Sequence, residues 1–331
     1  MLSILKAIFD IPGTRETDSQ FEALIEAAVE KAVDGTDPRL RLIDGYTRKM
    51  QRAVTEAVHY VDNVAAVFAP PLKLSRRAFA TDPQVHALFG SADDLPRIMA
   101  ESREVRDFLT TTDDRPTSPI YAGLRMSRTE KTVLAPEIQG NTLHADVVRT
   151  IVNFSDHALV IPAASETELL RDLKERIYIA LVECALARLT SIKGHRAELE
   201  KQRSLLRMKL KTLRARGLGM EAFTDRPRAE RDSVESIERR LLETEQELKE
   251  TVASLATLNE YLDQINDVLS HPAEHVKLSP ASTRLTRMGF KTTANASDPG
   301  DEIFYTEIEV GGSERFAGRL VEFLGHDSSA A

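Results

Sequence analysis

Residues 234–269 read VESIERRLLETEQELKETVASLATLNEYLDQINDVL. Leu241, Leu248, Leu255, Leu262 and Leu269 recur every seven residues, and Val234 extends the series backward. Ile237, Thr244, Thr251, Leu258 and Ile265 form a companion series. Two interleaved series of this period are the a and d positions of a coiled coil, because a repeat of 3.5 keeps one stripe of a helix against a partner.

The partner stripe lies upstream. Tyr178, Ala185, Ile192, Leu199, Leu206 and Leu213 share the same spacing, with Val182, Leu189, Arg196, Arg203 and Leu210 as companions. Two arginines on a seam need an explanation, and the register supplies one. If the chain folds back about residues 223–224, facing residues have numbers that sum to 447. Leu206 then meets Leu241, Arg203 meets Thr244, Leu199 meets Leu248 and Arg196 meets Thr251. The series ends with Tyr178 opposite Leu269. A threonine opposite an arginine leaves room for the stem, while the guanidinium reaches water. Polar seam positions commonly fix register, so Arg196, Arg203, Thr244 and Thr251 are read as the register-setting residues.

Charge points the same way. Residues 193–216 carry nine Lys/Arg against two Glu, and residues 232–269 carry ten Asp/Glu against three Lys/Arg. Oppositely charged helices pair with each other and disfavour parallel self-pairing. The predicted element is a long antiparallel coiled-coil hairpin over residues 165–270, with helices on the order of 70 Å long. Its tip is residues 217–227, GLGMEAFTDRP.

On either side of the hairpin the period shortens toward two. Strands are predicted at 132–139, 142–154 and 157–161, with turns at Gly140-Asn141 and Ser155-Asp156, and another near 121–126. Strands are also predicted at 285–293, 303–310 and 315–324, with Gly311-Gly312 turning between the last two. Three strands alone are marginal in water, so the two groups are expected to join in one sheet.

The N-terminal part reads as helical. Ser19 and Glu22 match a capping box, and Phe21, Leu24, Ile25, Ala28, Val29 and Ala32 follow at helical spacing up to Gly35. Asp37-Pro38 opens a helix predicted to reach Phe68, before Pro70-Pro71. Asp82-Pro83 and the Ser91–Asp94 region open two more. Residues 111–119 are polar and carry two prolines, which marks a linker.

The fold class is therefore α+β and mainly helical. A helical domain (1–110) and the linker (111–119) precede a small antiparallel β domain (120–164 and 271–331), with the hairpin inserted between its strands.

The chain has 331 residues, a formal net charge of −8 and an apolar fraction of 42%. An acidic chain lacks the overall basic surface that a polyanion attracts. Its one cysteine, Cys184, precludes an internal disulfide and fits a reducing compartment, so a cytoplasmic location is expected. Cys184 itself reads as a small apolar filler beside the seam. His144, Asp146, Asp156 and His157 flank one predicted hairpin and read as turn residues. No phosphate-cradling glycine loop or metal-ligand spacing is present in the sequence, so no cofactor, no metal and no enzymatic activity are expected.

The predicted function is that of a non-enzymatic interaction or scaffold protein whose coiled-coil arm meets another protein. Met220 and Phe223 are apolar residues at a tip where no core exists to bury them. With Arg214, Arg216 and Arg226 they are the partner-contact candidates. Two alternatives belong to other classes. The basic stretch 193–216 could hold nucleic acid or a ribosomal surface. Residues 1–11, an apolar segment with helical amphipathicity, could rest on a membrane or envelope surface instead of docking on the protein's own core.

Overall fold

The computed structural model describes residues 18–111, 118–139, 142–217, 228–253, 257–294, 296 and 298–324. In chain order the helices and strands begin with α1 (Asp18–Gly35), a 3-10 helix (Pro38–Leu42), α2 (Tyr46–Ala65) and β1 (Leu72–Lys73). Four short helices follow: α3 (Arg76–Thr81), α4 (Pro83–Leu88), α5 (Asp94–Glu101) and α6 (Arg103–Thr111). Then come β2 (Pro119–Gln139), β3 (Thr142–Ala163), α7 (Glu166–Gly217), α8 (Arg228–Ala253), α9 (Leu258–Ser270) and α10 (Pro272–His275). The chain closes with β4 (Val276–Leu285), β5 (Asp301–Val310) and β6 (Glu314–Leu324). It divides into two compact units: Met1–Ala28, Thr55–Leu181 and His271–Ala331 form one, and Val29–Val54 with Val182–Ser270 form the other.

The first unit is built on a six-stranded sheet of order β3-β2-β6-β5-β4, with β1 running parallel beside β6. All other pairings are antiparallel. The strands before and after the long helix thus join in one sheet, through β2 and β6. Beyond Leu285 the chain turns back at Gly289, whose φ of +79° suits glycine. Phe290 then bridges Ile151 of β3, and the Lys291 amide donates to the Thr150 carbonyl at 2.8 Å. The two ends of the strand order are linked by this segment.

One sheet face carries Ile120, Leu124, Phe154, Tyr305 and Phe323 into a core shared with Val85, Leu88, Leu95 and Val105 of α4–α6. On a second cluster, Leu320 and Ala163 meet Leu169 of α7, with Phe68 and Tyr121 alongside. Local caps start these helices. Ser75 accepts from the Ala78 amide and Asp82 from the Gln84 amide. At the start of α7, Ser165 accepts from the Glu168 amide while the Glu168 carboxylate accepts from the Ala164 amide. This resembles a capping box, with the carboxylate reaching the amide one residue before the cap.

Several expectations are corrected here. The helix predicted from Asp37 to Phe68 is two elements, because Gly45 adopts φ +66° after the short 3-10 turn that Asp37 caps. The helix predicted to open in the Ser91–Asp94 region is also two, α5 and α6. Ser102 intervenes, accepting from the Val105 amide and donating to the Leu159 carbonyl. Ser155-Asp156 is no turn: β3 runs through it as one strand, with Asp156 at φ +52° in a bulge where Asp156 and His157 oppose the single residue Met126 of β2. A second such bulge lies at Ile161, φ +56°, whose amide donates to Glu104. The strand predicted at 285–293 lies earlier, at β4. Pro280 sits within it, which an edge strand tolerates. Residues 1–11, Gly140-Asn141 and most of the linker lie outside the described residues.

The second unit is helical. Its α7 portion begins at Val182, which lies so close to Gly35 that a Cβ there would come 2.5 Å from Val182 Cγ1. Arg41 pairs with Glu30 at 2.8 Å and Asp34 at 2.5 Å, and the Tyr46 hydroxyl donates to Glu30. That hydroxyl, with Arg41 beside it, holds the Glu30 carboxyl below the usual range. The second predicted hairpin helix does not run unbroken: Thr257 is non-helical, and α9 starts after it at Leu258. Thr257 and Glu260 make the restart, each side chain accepting from the other's amide.

The interruption changes the register. His195 reaches Glu247 at 3.0 Å, yet Lys193, two positions earlier on α7, lies over the Tyr261 ring at 4.7 Å. Arg188 bonds Gln264 at 2.9 Å and Asp267 at 3.0 Å. Lys193–Tyr261 sums to 454 and Arg188–Asp267 to 455, both beyond the 452 of a flanking pair in the 447 register, so the contacts of α9 are offset from that register. In the first unit, the Tyr178 hydroxyl donates to the Ala28 carbonyl at 2.8 Å, and burial raises its pKa.

Candidate interaction surface

Along α7 and α8, exposure follows the sevenfold series. Leu199, Leu210, Thr244 and Leu248 are buried. Ile192, Arg203, Leu206, Leu213, Val234, Ile237, Leu241 and Thr251 are half-buried, while most residues between them are exposed. Apolar side chains gain roughly 25 cal/mol per Å² removed from water, which is why this stripe turns inward.

The register-setting candidates divide. Thr244 is buried and donates to the Arg240 carbonyl at 2.8 Å, and Thr251 donates to the Glu247 carbonyl at 2.9 Å. Arg203 is half-buried. Arg196 is exposed and bonds Glu200, four residues on in its own helix, at 3.0 Å.

Cross-helix pairs flank the stripe. Arg207 meets Glu245 at 2.5 Å, Arg214 meets Glu238 at 2.7 Å, and His195 meets Glu247. All are largely exposed, a setting in which one ion pair contributes about 0–1 kcal/mol. Arg214 was a partner-contact candidate, and its guanidinium is engaged by Glu238. Arg216 belongs to α7, and Met220, Phe223 and Arg226 lie outside the described residues.

Sequence reasoning passed over the apolar residues on the outer positions. Leu205, Met208 and Leu242 are 48%, 66% and 70% exposed. Their signal was present: each is apolar where the heptad calls for a polar residue.

Elsewhere, several ionisable groups have structural partners. His157 Nε2 lies 2.7 Å from the Leu88 carbonyl oxygen, and its ring stacks on Phe89 at 4.8 Å. Burial lowers its pKa. A groove of about 280 Å³ on the sheet contains Arg128, Tyr305, Glu307, Glu309 and Arg315. Arg128 pairs with Glu130 and lies over Tyr305 at 5.6 Å, and Arg315 pairs with Glu309 at 3.2 Å. Among the described residues no three His, Cys, Asp or Glu side chains converge to hold a metal ion. Among them, too, no helix is long and apolar enough to cross a membrane.

Compared with known proteins, the chain matches no family model, no curated protein and no solved structure.

Proposed function

We propose that this is a non-enzymatic protein-interaction or scaffold protein of the cytoplasm, and that its recognition element is an antiparallel coiled-coil hairpin made by α7 and α8. In such a pair with a seam at 447, flanking residues meet at sums of 452 and 442. Arg207–Glu245 and Arg214–Glu238 have the first value and His195–Glu247 the second. They support the register in the part of the hairpin made by α7 and α8.

The observation that carries the reading is the division of the hairpin surface. The seam takes up the sevenfold stripe, the flanks pair basic with acidic side chains, and Leu205, Met208 and Leu242 remain exposed. Exposed apolar side chains on an otherwise polar helix pair mark a contact surface. The same ion pairs reduce the charge that α7 could offer to phosphates, which favours a protein partner over nucleic acid.

Photoreactive residues at 208, 239 and 242 test this in the native host, with position 288 as control. The reading predicts discrete protein adducts from the hairpin positions and none from the control. Adducts confined to the control, or nucleic acid recovered from the hairpin positions, would overturn it.

A further inference from the structure

On α7, the heptad positions opposite the seam are Ser191, Glu198 and Leu205 in one series and Gly194, Lys201 and Met208 in the other. All six are exposed. Gly194 is the informative one. A Cβ built on it meets nothing within 4 Å, so nothing among the described residues requires a glycine there. Alanine is the better helix former, and a glycine in the middle of an exposed helix face leaves room for close approach by another backbone.

The face is also complementary to itself. Placed antiparallel against a second α7 with numbers summing to 399, Gly194 faces Leu205, Ser191 faces Met208 and Glu198 faces Lys201. Each bulky apolar side chain meets a small one, and each carboxylate meets an ammonium. Two-fold symmetry supplies each pairing twice. The face repeats every seven residues like the seam, so it stays in phase with a left-handed supercoil. Glu198 and Lys201 are now 3.9 Å apart within one helix, both more than half exposed, and Glu198 also accepts from Gln202 at 3.3 Å.

We propose that the outer face of α7 binds a second copy of this chain, antiparallel, across a two-fold axis between residues 199 and 200. This rests on the interaction reading above and names one partner for it.

Sedimentation of the full chain tests it. The wild type is expected to be a dimer. Glu198→Lys and Lys201→Glu each place like charges opposite one another and should raise the dimer dissociation constant roughly tenfold or more. Mixing the two variants in equal amounts should restore it, because both layers of the mixed pair again join opposite charges. Unchanged circular dichroism shows that each variant is folded. Gly194→Leu, which fills the hollow that receives Leu205, should also weaken the dimer without loss of helix.

A monomeric wild type at about 100 µM, well above the ~1 µM constants common for specific protein pairs, overturns the inference. So does a mixture that associates no more tightly than its components. If the wild type is monomeric while position 242 still yields an adduct with a different protein, this inference falls and the interaction reading stands. If the dimer forms and that adduct is absent, the inference holds and the broader reading loses its heterologous partner.

Discussion

Single backbone positions hold the sheet unit in shape. Gly300 has φ +56°, and a Cβ there would lie 2.2 Å from the Leu285 carbonyl oxygen. Both the left-handed conformation and the clash oppose a side chain, so Gly300→Ala should cost about 2–4 kcal/mol in urea unfolding. His157 sits on the bulge that Asp156 makes, which turns its ring toward Leu88 and Phe89. Its folded pKa lies below the usual 6.5, so the unfolded chain binds the proton more readily. Stability should be level above pH 6.5, fall as the pH drops below it, and level off again under the folded pKa. Replacing His157 with Gln should flatten that fall in a pH series of unfolding curves. None of this was visible in the sequence. A bulge looks like a turn when only the polar pair Ser155-Asp156 can be seen, and His157 declares no partner until α4 is folded beside it.

At the level of elements, the proposed α7–α8 hairpin should depend on its stripe more than on its charges. Leu199→Ala should lower stability by about 2–4 kcal/mol, because it removes a buried side chain. A double-mutant cycle on Arg207 and Glu245 should give a coupling below about 1 kcal/mol, since both groups are largely exposed. Thr257→Ala should cost about 1 kcal/mol through loss of the cap that restarts α9. The heptad was legible because one period runs through 36 residues of the sequence. The break at α8–α9 was not, because Leu255 and Leu258 keep that period across it. Thr257 and Glu260 were the signal, a capping box placed inside an apolar series. β4 was missed for the opposite reason: Pro280 and its small polar neighbours lack an alternating pattern, and pairing with β5 along its whole length makes the strand.

At the scale of the whole molecule, a mainly helical chain with strands on both sides of a long helix could be read from the change of period alone. Joining those strands in one sheet followed from the instability of a lone three-stranded meander. The surfaces offered to partners were harder to read. The sequence drew attention to basic residues and the tip, whereas exposure brings forward Leu205, Met208 and Leu242. These outer faces exist as surfaces only if α7 and α8 close on each other in one register. Cysteine trapping tests that register directly. In a Cys184→Ser background, Arg203→Cys with Thr244→Cys should form a disulfide on mild oxidation. Arg203→Cys with Thr251→Cys, one heptad away, should remain reduced. Closure of the second pair, or of neither, would contradict the hairpin proposed here.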